Sequence, residues 1–403
     1  MGIDAKGAGG AESVVPMKVV AVTWRDLAHP SAGGAELLID RLLSGLTQRG
    51  HDVTLVCGGP ISDHDYDVVD SGGTYSQYLR SPLICLSRFR DVDIVLDAEN
   101  GVPYFSPLWR RKPSVCLVNH VHTDQWGTRF PRPVAAGCRV VESKVMPLVY
   151  RNRRFVAISR STADALVDVG VNESRITVIE PGVDMPSGPI PAKSAEPLFL
   201  SLNRLVPHKR IDLLLEAWRL ASATIPGRLV VAGDGPGLHD LRRLAVAVPR
   251  VEVRGRVSEE EKWDLLAGAW AVVTAADHEG WGMSVTEAAA AATPTLALDA
   301  PGIRDAMDDG TTGVLVPRKE DAQIPEAFAQ AMIDFVGDNE RRLQLGQSAR
   351  RRARDFSWDR FVDRWETVLE EVCASEPTAA RTATAPSVRS AVGNPAVSVG
   401  ETK

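Results

Sequence analysis

The sequence predicts a two-domain α/β protein with two doubly wound parallel sheets in tandem. Short β-branched runs alternate with segments of helical periodicity from residue 17 onward, which favours parallel sheets flanked by helices. A proline-rich stretch at 181–197 interrupts this alternation and is typical of a linker. The same alternation then restarts, so we predict one Rossmann-like domain at 17–185 and a second at 186–354.

In the predicted first domain, a strand at 17–23 leads through a glycine-containing loop into a helix that ends near Gly50. The segment 51–59 gives the next strand and completes a parallel strand–helix–strand unit. Further apolar runs predict strands at 92–97, 114–119, 154–158 and 176–179.

The predicted second domain repeats this order. Its strands are predicted at 197–203, 227–233, 251–255, 271–276, 294–298 and 312–316. Ligands of doubly wound sheets bind beyond the carboxyl ends of the strands, so two facing sheets predict a shared cleft. A final amphipathic helix at 355–373 carries apolar residues on one side and needs a partner surface.

Composition excludes several classes of function. The net charge of -6 over 403 residues argues against broad nucleic-acid binding. No apolar run reaches about 18 residues, so no transmembrane helix is predicted. The five scattered cysteines fit buried thiols and a cytoplasmic location. Residues 1–16 and 374–403 are predicted to be a disordered head and tail.

The segment EGWGMSVTE, from Glu279 to Glu287, is the most informative cluster in the sequence. Gly282 precedes a predicted helix, and the amides of Met283 and Ser284 at its start favour anionic or hydroxyl-rich ligands. Glu287 lies about one turn inside this helix, where a carboxylate can accept hydrogen bonds from ribose hydroxyls. The alternative for Glu287 is stabilisation of the helix dipole.

A basic pair follows the first strand of the predicted second domain. Arg204 and Lys209 lie five residues apart in the loop NRLVPHKRID. Such a loop can place a guanidinium fork and an ammonium group on one pyrophosphate. Charges in this position stabilise a leaving diphosphate. A solvated basic loop is the alternative interpretation.

Two glycine loops are weaker signals. Gly33 and Gly34 precede the first helix, where glycine lets the backbone approach a phosphate, although on this signal alone a plain turn is favoured. The segment GDGPG, which contains Gly233 and Gly235, fails the dinucleotide fingerprint because Pro236 breaks it. We interpret this segment as a tight turn that lines the cleft.

The segment NHVHTDQWG follows a predicted strand. His120 and His122 alternate in a strand-like register, so we predict that they point to opposite sides, with one entering the cleft and the other structural. His120, His122 and Asp124 are also candidate ligands for a metal ion, an interpretation that we disfavour. Asp91 and Asp93 precede a strand instead of following one, so we interpret them as surface residues and not as a metal–diphosphate clamp.

With these residues in place, the chain resembles the retaining GT-B glycosyltransferases of family 4 over about 17–372. Glu279 and Glu287 match the two glutamates of the family's main motif, which seven residues separate. The other matches are the basic pair Arg204 and Lys209, the loop glycines Gly33 and Gly34, the turn from Gly233 to Pro236, and the segment from Gly255 to Val257.

The resemblance implies a site as well as a fold. Arg204 and Lys209 bind the diphosphate, Glu287 the ribose, and Glu279 approaches the donor sugar. The donor is a UDP- or GDP-type nucleotide sugar, and no essential metal or cofactor is implied. The residues implied in the base, sugar and phosphate pockets are Gly33, Gly34, Gly233, Gly235, Arg256, Val257, Gly282, Met283 and Ser284. The final helix crosses back onto the first domain.

One catalytic histidine is also implied, and His120 matches it best, although the register leaves His122 open. Three positions depart from the family pattern: Trp281 stands where phenylalanine is common, Ala292 replaces the usual glycine, and Asp305 stands where glutamate is common. The donor-sugar pocket is therefore expected to differ from that of common glucose or mannose enzymes.

The predicted function is retaining, metal-independent transfer of a hexose-type sugar to a small-molecule, lipid-linked or saccharide acceptor. The alternatives are a non-hydrolysing nucleotide-sugar epimerase and a sugar-nucleotide-binding protein without catalysis. The stretch 129–154 mixes basic and apolar residues, which fits peripheral contact with the inner surface of a membrane or a solvated helix face.

Overall fold

The computed structural model describes residues 15–123 and 125–375 of the chain. The predicted disordered head and tail lie almost wholly outside these residues. Within the described part, the chain forms one seven-stranded and one six-stranded sheet, and every strand pair is parallel. This arrangement confirms the two doubly wound domains, whereas their boundary at 185 and 186 stays a prediction.

The first sheet has the strand order β3-β2-β1-β4-β5-β6-β7. Its strands are β1 (Lys18–Arg25), β2 (Asp52–Gly58), β3 (Asp67–Asp70), β4 (Ile94–Glu99), β5 (Ser114–Val118), β6 (Arg154–Ala157) and β7 (Ile176–Val178). Its helices are α1 (Gly34–Gln48), α2 (Gln77–Arg88), α3 (Ser106–Trp109), α4 (Trp126–Arg129), α5 (Arg132–Val140), α6 (Met146–Val149) and α7 (Arg160–Asp168). A π-helical turn at Val141–Val145 joins α5 to α6.

The second sheet has the order β10-β9-β8-β11-β12-β13. Its strands are β8 (Leu198–Leu202), β9 (Arg228–Ala232), β10 (Val251–Gly255), β11 (Ala271–Thr274), β12 (Thr295–Leu298) and β13 (Gly313–Val316). Its helices are α8 (Ile211–Ala221), α9 (Leu238–Ala245), α10 (Glu259–Gly268), α11 (Met283–Ala290), α12 (Ile303–Ala306), α13 (Ile324–Gly337) and α14 (Asn339–Ala353).

Each sheet reverses its winding direction at one pair of neighbouring strands. In the first sheet this switch point lies between β1 and β4, and in the second between β8 and β11. Helices cover both faces, which requires continuous apolar strands. Accordingly, every residue of β4, IVLDAE, is buried. The loops that leave the carboxyl ends at the two switch points are where ligands of such sheets bind.

The last helix, α15 (Trp358–Ala374), returns to the first domain and packs on α1. Its Val362 side chain lies over Gly45, where an added Cβ would come within 2.5 Å of it. Phe361 and Trp365 are buried in the same contact. This packing confirms that the final helix crosses back to the first domain. The helix begins later than predicted because Ser357 caps it by accepting a hydrogen bond from the amide of Arg360.

Several elements are absent from the sequence prediction. The edge strand β3 is only four residues long, and α14, NERRLQLGQSARRRA, is mostly polar. The helices α2 and α13 complete the layers that cover the two sheets. Among the described residues, none of the helices combines the length and the apolar character needed to cross a lipid bilayer.

Candidate active site

The loops after β8 and β11 meet at the switch point of the second sheet. The first loop carries Lys209 and the second carries Glu279, and both leave the same sheet edge because β8 and β11 are paired. The Lys209 ammonium donates a hydrogen bond to the Glu279 carboxylate. Their side chains are only 9% and 17% exposed. The structure therefore joins two predicted catalytic residues in one shielded ion pair.

Arg204 reaches toward the first domain. A Cβ added to Gly33 would lie 3.4 Å from Cδ and Nε of Arg204, so the Arg204 side chain lies against the backbone before α1. The next residue, Gly34, faces Met283, whose Cγ would lie 3.1 Å from an added Cβ. Glu36 fixes this loop by accepting a hydrogen bond from the Gly33 amide at 2.7 Å. The two loop glycines thus permit close approach between the domains.

Glu287 lies one turn inside α11 and pairs with Lys262 of α10. The distance between Lys262 Nζ and Glu287 Oε1 is 2.8 Å, and the side chains are 15% and 16% exposed. Burial raises the pKa of Glu287, and the neighbouring ammonium opposes that shift. The Glu287 carboxylate is therefore turned away from bulk water. Lys262 was not predicted, because its acidic helix SEEEKWDLL gave no sign of a site.

The turn after β9 packs on the loop that carries Arg204. Gly233 has φ +130°, and a Cβ there would lie 1.9 Å from the Asn203 carbonyl oxygen. A Cβ at Gly235 would lie 2.6 Å from the Leu205 oxygen. Only glycine fits at such distances. Backbone packing therefore accounts for both glycines, and their predicted contact with a donor stays a prediction.

The same turn connects to the end of β10. The Gly233 amide donates to the Gly255 oxygen at 2.7 Å. Arg256, which follows, is exposed, whereas Val257 is half-buried against the second domain's core. Both residues precede α10 and its Lys262, so the loop predicted to hold the base lies beside the residue that pairs with Glu287.

The helix α11 begins where the two domains touch. Gly282 takes φ +89° as its N-cap, and Met283 and Ser284 are half-buried in its first turn. Two residues earlier, a Cβ on Gly280 would lie 2.3 Å from the Asn119 oxygen of the first domain. The start of α11 therefore faces the cleft, as the motif predicted.

Three imidazole rings stack across the domain boundary. His120 stacks on His278 with ring centroids 4.9 Å apart, and His278 stacks on His208 at 5.1 Å. Burial and the neighbouring imidazoles hold the pKa of His120 well below its usual range. Burial and the charge of Lys209 lower the pKa of His208 to about 4. Neutral imidazoles thus line the cleft beside the ion pair.

The predicted opposite orientation of His120 and His122 is wrong. The strand β5 ends at Val118, so the alternation of a strand does not extend to these residues. Their rings meet edge to face, with centroids 5.1 Å apart. Asp124, the third of the candidate metal ligands, lies outside the described residues.

Two family profiles match the chain along most of its length. Residues 188–352 match the glycosyl transferases group 1, and residues 32–185 match glycosyltransferase family 4. The two matches contain both sides of the cleft. The chain belongs to the family 4 glycosyltransferases.

Relatives of this glycosyltransferase include two proteins named D-inositol 3-phosphate glycosyltransferase. The protein of Kineococcus radiotolerans is 29% identical over 263 residues, which cover 56% of this chain and 58% of the relative. The protein of Geodermatophilus obscurus is 32% identical over 251 residues, which cover 56% and 54%. The chain therefore spans little more than half the length of these curated relatives.

Solved structures show the same fold. Sucrose-phosphate synthase from Thermosynechococcus elongatus aligns with a TM-score of 0.73 and 17% identity, over 89% of this chain and all of that one. Anabaena Alr3699/HepE, solved with UDP and glucose, aligns with a TM-score of 0.69 and 17% identity, over 88% of this chain and all of that one. Together with the two parallel sheets, these alignments show that this glycosyltransferase has the GT-B fold.

Two of the three departures from the family pattern, Trp281 and Asp305, have local explanations, and nothing in the structure explains Ala292. Trp281 is buried, with its ring edge-on to Phe356 at 5.1 Å, so the larger side chain fills the core between the domains. Asp305 accepts a hydrogen bond from the Ser161 amide of the first domain at 3.1 Å. Ala292 takes φ +52°, a conformation that favours glycine.

On the opposite side of the cleft, three of the first domain's buried carboxyl groups lie close enough to act on one another. Asp97 and Glu99 end β4, and Glu142 lies in the π-helical turn. Asp97 is satisfied by backbone amides at 3.0 Å. Glu142 accepts hydrogen bonds from the His122 amide at 2.5 Å and from Trp126 Nε1 at 2.8 Å. Glu142 is the one acid of the stretch 129–154, and the sequence did not single it out.

Glu99 differs from its two neighbours. Its side chain is almost fully buried, and neither carboxylate oxygen has a hydrogen-bond partner among the described residues. Burial raises the pKa of Glu99 well above its ordinary value, the charge of Glu142 adds to the effect, and the nearby backbone amide of Gly101 partly opposes it. The sequence did not reveal it, because Glu99 continues an apolar run that predicts a buried strand.

The stretch 129–154 forms α5, the π-helical turn, α6 and the start of β6. Its outer face exposes apolar side chains, among them Val140 and Leu148 at 55% and 63%. Lys144 and Arg151 are exposed as well. The surface therefore combines basic and apolar groups, while Glu142, the acid of the stretch, faces inward.

Proposed function

We propose that the protein is a retaining glycosyltransferase that moves a hexose-type sugar from a nucleotide-diphosphate sugar to a hydroxyl acceptor. The observation that carries this proposal is the shielded Lys209–Glu279 pair at the switch point of the second sheet, with Arg204 of the same loop lying against the backbone before α1. Membership of family 4 and the GT-B fold support it.

The departing diphosphate needs positive charge where negative charge develops. Arg204 and Lys209 supply a guanidinium group and an ammonium group from one loop. In this proposal they neutralise the diphosphate without a metal ion bound to it. The bond between the anomeric carbon and the phosphate oxygen breaks, and the acceptor oxygen bonds to the same face of that carbon. The acceptor proton passes to the departing phosphate oxygen.

The other site residues position the substrates. Glu287 accepts hydrogen bonds from the ribose hydroxyls and shares its charge with Lys262. Backbone groups at Arg256 and Val257 hold a uracil or guanine base. His120, kept neutral by its surroundings, orients the donor sugar or the acceptor. Glu279 approaches the donor sugar once Lys209 turns to the phosphate.

A nucleotide-sugar binding panel tests the donor side of this proposal. A ligand at many times its dissociation constant stabilises a protein by about 3 kcal/mol, so one of UDP-, GDP-, ADP- or dTDP-sugars should raise the melting temperature clearly. We expect a UDP- or GDP-sugar to do so. If none of the four classes raises it, the donor assignment is wrong.

Two other functions are separated by product analysis. A non-hydrolysing epimerase converts its nucleotide sugar without an acceptor. An epimerised nucleotide sugar formed without acceptor would therefore assign the protein as an epimerase and not as a transferase. A binding protein without catalysis would bind the donor and transfer nothing across a wide acceptor panel. The intact set of Arg204, Lys209, Glu279 and Glu287 favours the transferase.

We further propose that the exposed face of α5 and α6 contacts an anionic membrane surface, which would place a lipid-linked acceptor near the cleft. Basic and apolar side chains together favour such surfaces. Sedimentation with anionic liposomes should fall when Lys144 and Arg151 are both changed to Glu. The matched control changes Lys319 and Arg341 to Glu on the second domain. Equal sedimentation with neutral and anionic liposomes would reject membrane contact.

A further inference from the structure

The Glu99, His122 and Glu142 side chains converge on the cleft side of the first domain. Each offers one ligand atom, and these atoms lie within 4.8 Å of one another. They come from three separate elements: the end of β4, the loop after β5, and the π-helical turn. Single π-helical turns within helices are frequent at functional sites, and this one brings Glu142 inward.

Glu142 and His122 are already held in place by hydrogen bonds or close contacts. Glu142 Oε1 accepts from the His122 amide, and Oε2 accepts from Thr123 and Trp126. The Nδ1 atom of His122 lies 3.7 Å from Glu142 Oε1. Metal-binding carboxylates are commonly oriented by such outer hydrogen bonds. The site therefore has a supporting shell before any ion is considered.

Two of these side chains carry buried polar atoms without a hydrogen-bond partner among the described residues. Both Glu99 oxygens and His122 Nδ1 are buried and lack a hydrogen-bond partner among the described residues. Buried polar atoms of this kind are rare in proteins and call for a ligand, an ion or water. The charged groups that act on Glu99 are Glu142 and Asp97, which are both acids. A positive ion would balance this unpaired negative charge.

We propose that Glu99, His122 and Glu142 bind a divalent metal ion of the Zn²⁺ type. One imidazole nitrogen and two carboxylate oxygens are ligands that Zn²⁺ accepts, and three protein ligands leave a position for water or a substrate oxygen. The imidazole disfavours Ca²⁺ and Mg²⁺, which prefer oxygen ligands.

This ion is separate from the chemistry at the diphosphate. The three ligands belong to the first domain, whereas Arg204 and Lys209 belong to the second. The His122 ring touches the ring of His120, so the metal site borders the acceptor side of the cleft. The expectation that no metal assists the leaving group is unaffected, and the metal proposal does not depend on the transfer reaction.

The test measures zinc bound to the full chain, without donor or acceptor. Purified, tag-free protein is stripped with chelator, titrated with ZnCl₂ by calorimetry, and analysed for metal after dialysis. We expect about one Zn²⁺ per chain, with little competition from Mg²⁺. Glu99→Gln and His122→Gln should each weaken binding by at least about tenfold. The exposed Glu173→Gln serves as a matched control.

A buried proton on Glu99 is the rival explanation, and zinc binding by the stripped wild-type chain separates the two. If Glu99 is simply protonated, the stripped chain binds no zinc and its melting temperature does not change with ZnCl₂. That result would overturn the proposal. Zinc that stays bound in Glu99→Gln but is lost in His278→Gln would also overturn it, because the ion would then lie in the histidine stack.

Discussion

The acids of the donor site and the acids buried near the end of β4 have opposite kinds of partner. On the donor side, each acid of the site has an ammonium partner: Glu279 has Lys209, and Glu287 has Lys262. On the acceptor side, Asp97 and Glu142 are satisfied by neutral donors, and Glu99 has no hydrogen-bond partner in the described part of the chain.

This difference has a physical consequence. On the donor side, the Lys209 ammonium can leave the Glu279 carboxylate for a phosphate, because the phosphate provides a new negative partner for that ammonium. The acceptor side has no such reserve of positive charge at Glu99, so it favours a cation or a proton. The donor side therefore holds cations ready for an anionic ligand, whereas the carboxyl group of Glu99 on the acceptor side has no cation beside it among the described residues.

The largest expected effect concerns Lys209. Lys209→Ala removes a cation from the leaving diphosphate and leaves Glu279 without its partner. We expect turnover to fall about 10²- to 10³-fold, the loss found when one preorganised donor is removed from a transition state. Release of nucleoside diphosphate at saturating donor measures this, with the exposed Lys319→Ala as control. Near-wild-type turnover in Lys209→Ala would contradict the donor-side assignment.

The Lys262–Glu287 pair gives the next largest effect. Lys262→Met leaves a shielded carboxylate without its cation, which should lower the free energy of unfolding by up to about 3 kcal/mol. Glu287→Gln should cost less, and the double variant should recover most of the loss, because neither charge is then left alone. Urea denaturation of the three variants completes a double-mutant cycle. Strictly additive effects would show that the two residues are not coupled.

The donor side was predictable because its chemistry is local in sequence. Arg204 and Lys209 share one loop, and Glu279 and Glu287 share one motif. Alternation of apolar runs located twelve of the thirteen strands and missed only the short edge strand β3. Patterns of this kind depend on neighbours in the chain, which a sequence displays directly.

The acceptor side depends on contacts between distant residues. Glu99 ends the buried strand β4 and Glu142 lies 43 positions later in a helical segment, so no spacing rule connects them. The same limit hid Lys262 as the partner of Glu287 and His278 as the ring between His120 and His208. The orientation of His122 was mispredicted because the end of β5 is set by strand pairing, not by local composition.

Lys193 of the second domain differs from Lys209 and Lys262, since its ammonium donates to the hydroxyl of Thr293 and has no carboxylate partner in the described part of the chain. Burial lowers the pKa of Lys193 from 10.5 to about 7. Between these values the unfolded chain binds a proton at Lys193 that the folded chain does not, so stability rises with pH across this window. Lys193→Met should therefore stabilise the protein at pH 7, and the gain should nearly vanish at about pH 10.

Thermal unfolding of wild type and Lys193→Met at both pH values measures this difference. Subtracting the two proteins removes the contribution of other groups that titrate in the same window. An equal gain at both pH values would mean that Lys193→Met stabilises the protein by relieving strain in the packing, and not by removing a buried charge.

The smallest expected effect comes from Ala292, next to Thr293, where the strain lies in the backbone. Its φ of +52° costs a residue with a Cβ roughly 1–2 kcal/mol, and glycine avoids this cost while losing some entropy on folding. Ala292→Gly should therefore raise the free energy of unfolding by about 0.5–1 kcal/mol, at pH 7 and pH 10 alike.

Ala291→Gly is the matched control for Ala292→Gly. Ala291 lies in the same turn with φ -84°, so glycine relieves no strain there and should destabilise the protein by up to about 1 kcal/mol. Opposite signs at these two neighbouring positions would assign the cost to backbone conformation. The cost of backbone conformation does not depend on pH, so the stability gain of Ala292→Gly should be the same at pH 7 and pH 10. The gain of Lys193→Met should disappear at high pH, because it comes from removing a buried charge. Comparing the two variants therefore separates the two causes. If both glycine variants destabilise equally, Ala292 is not strained.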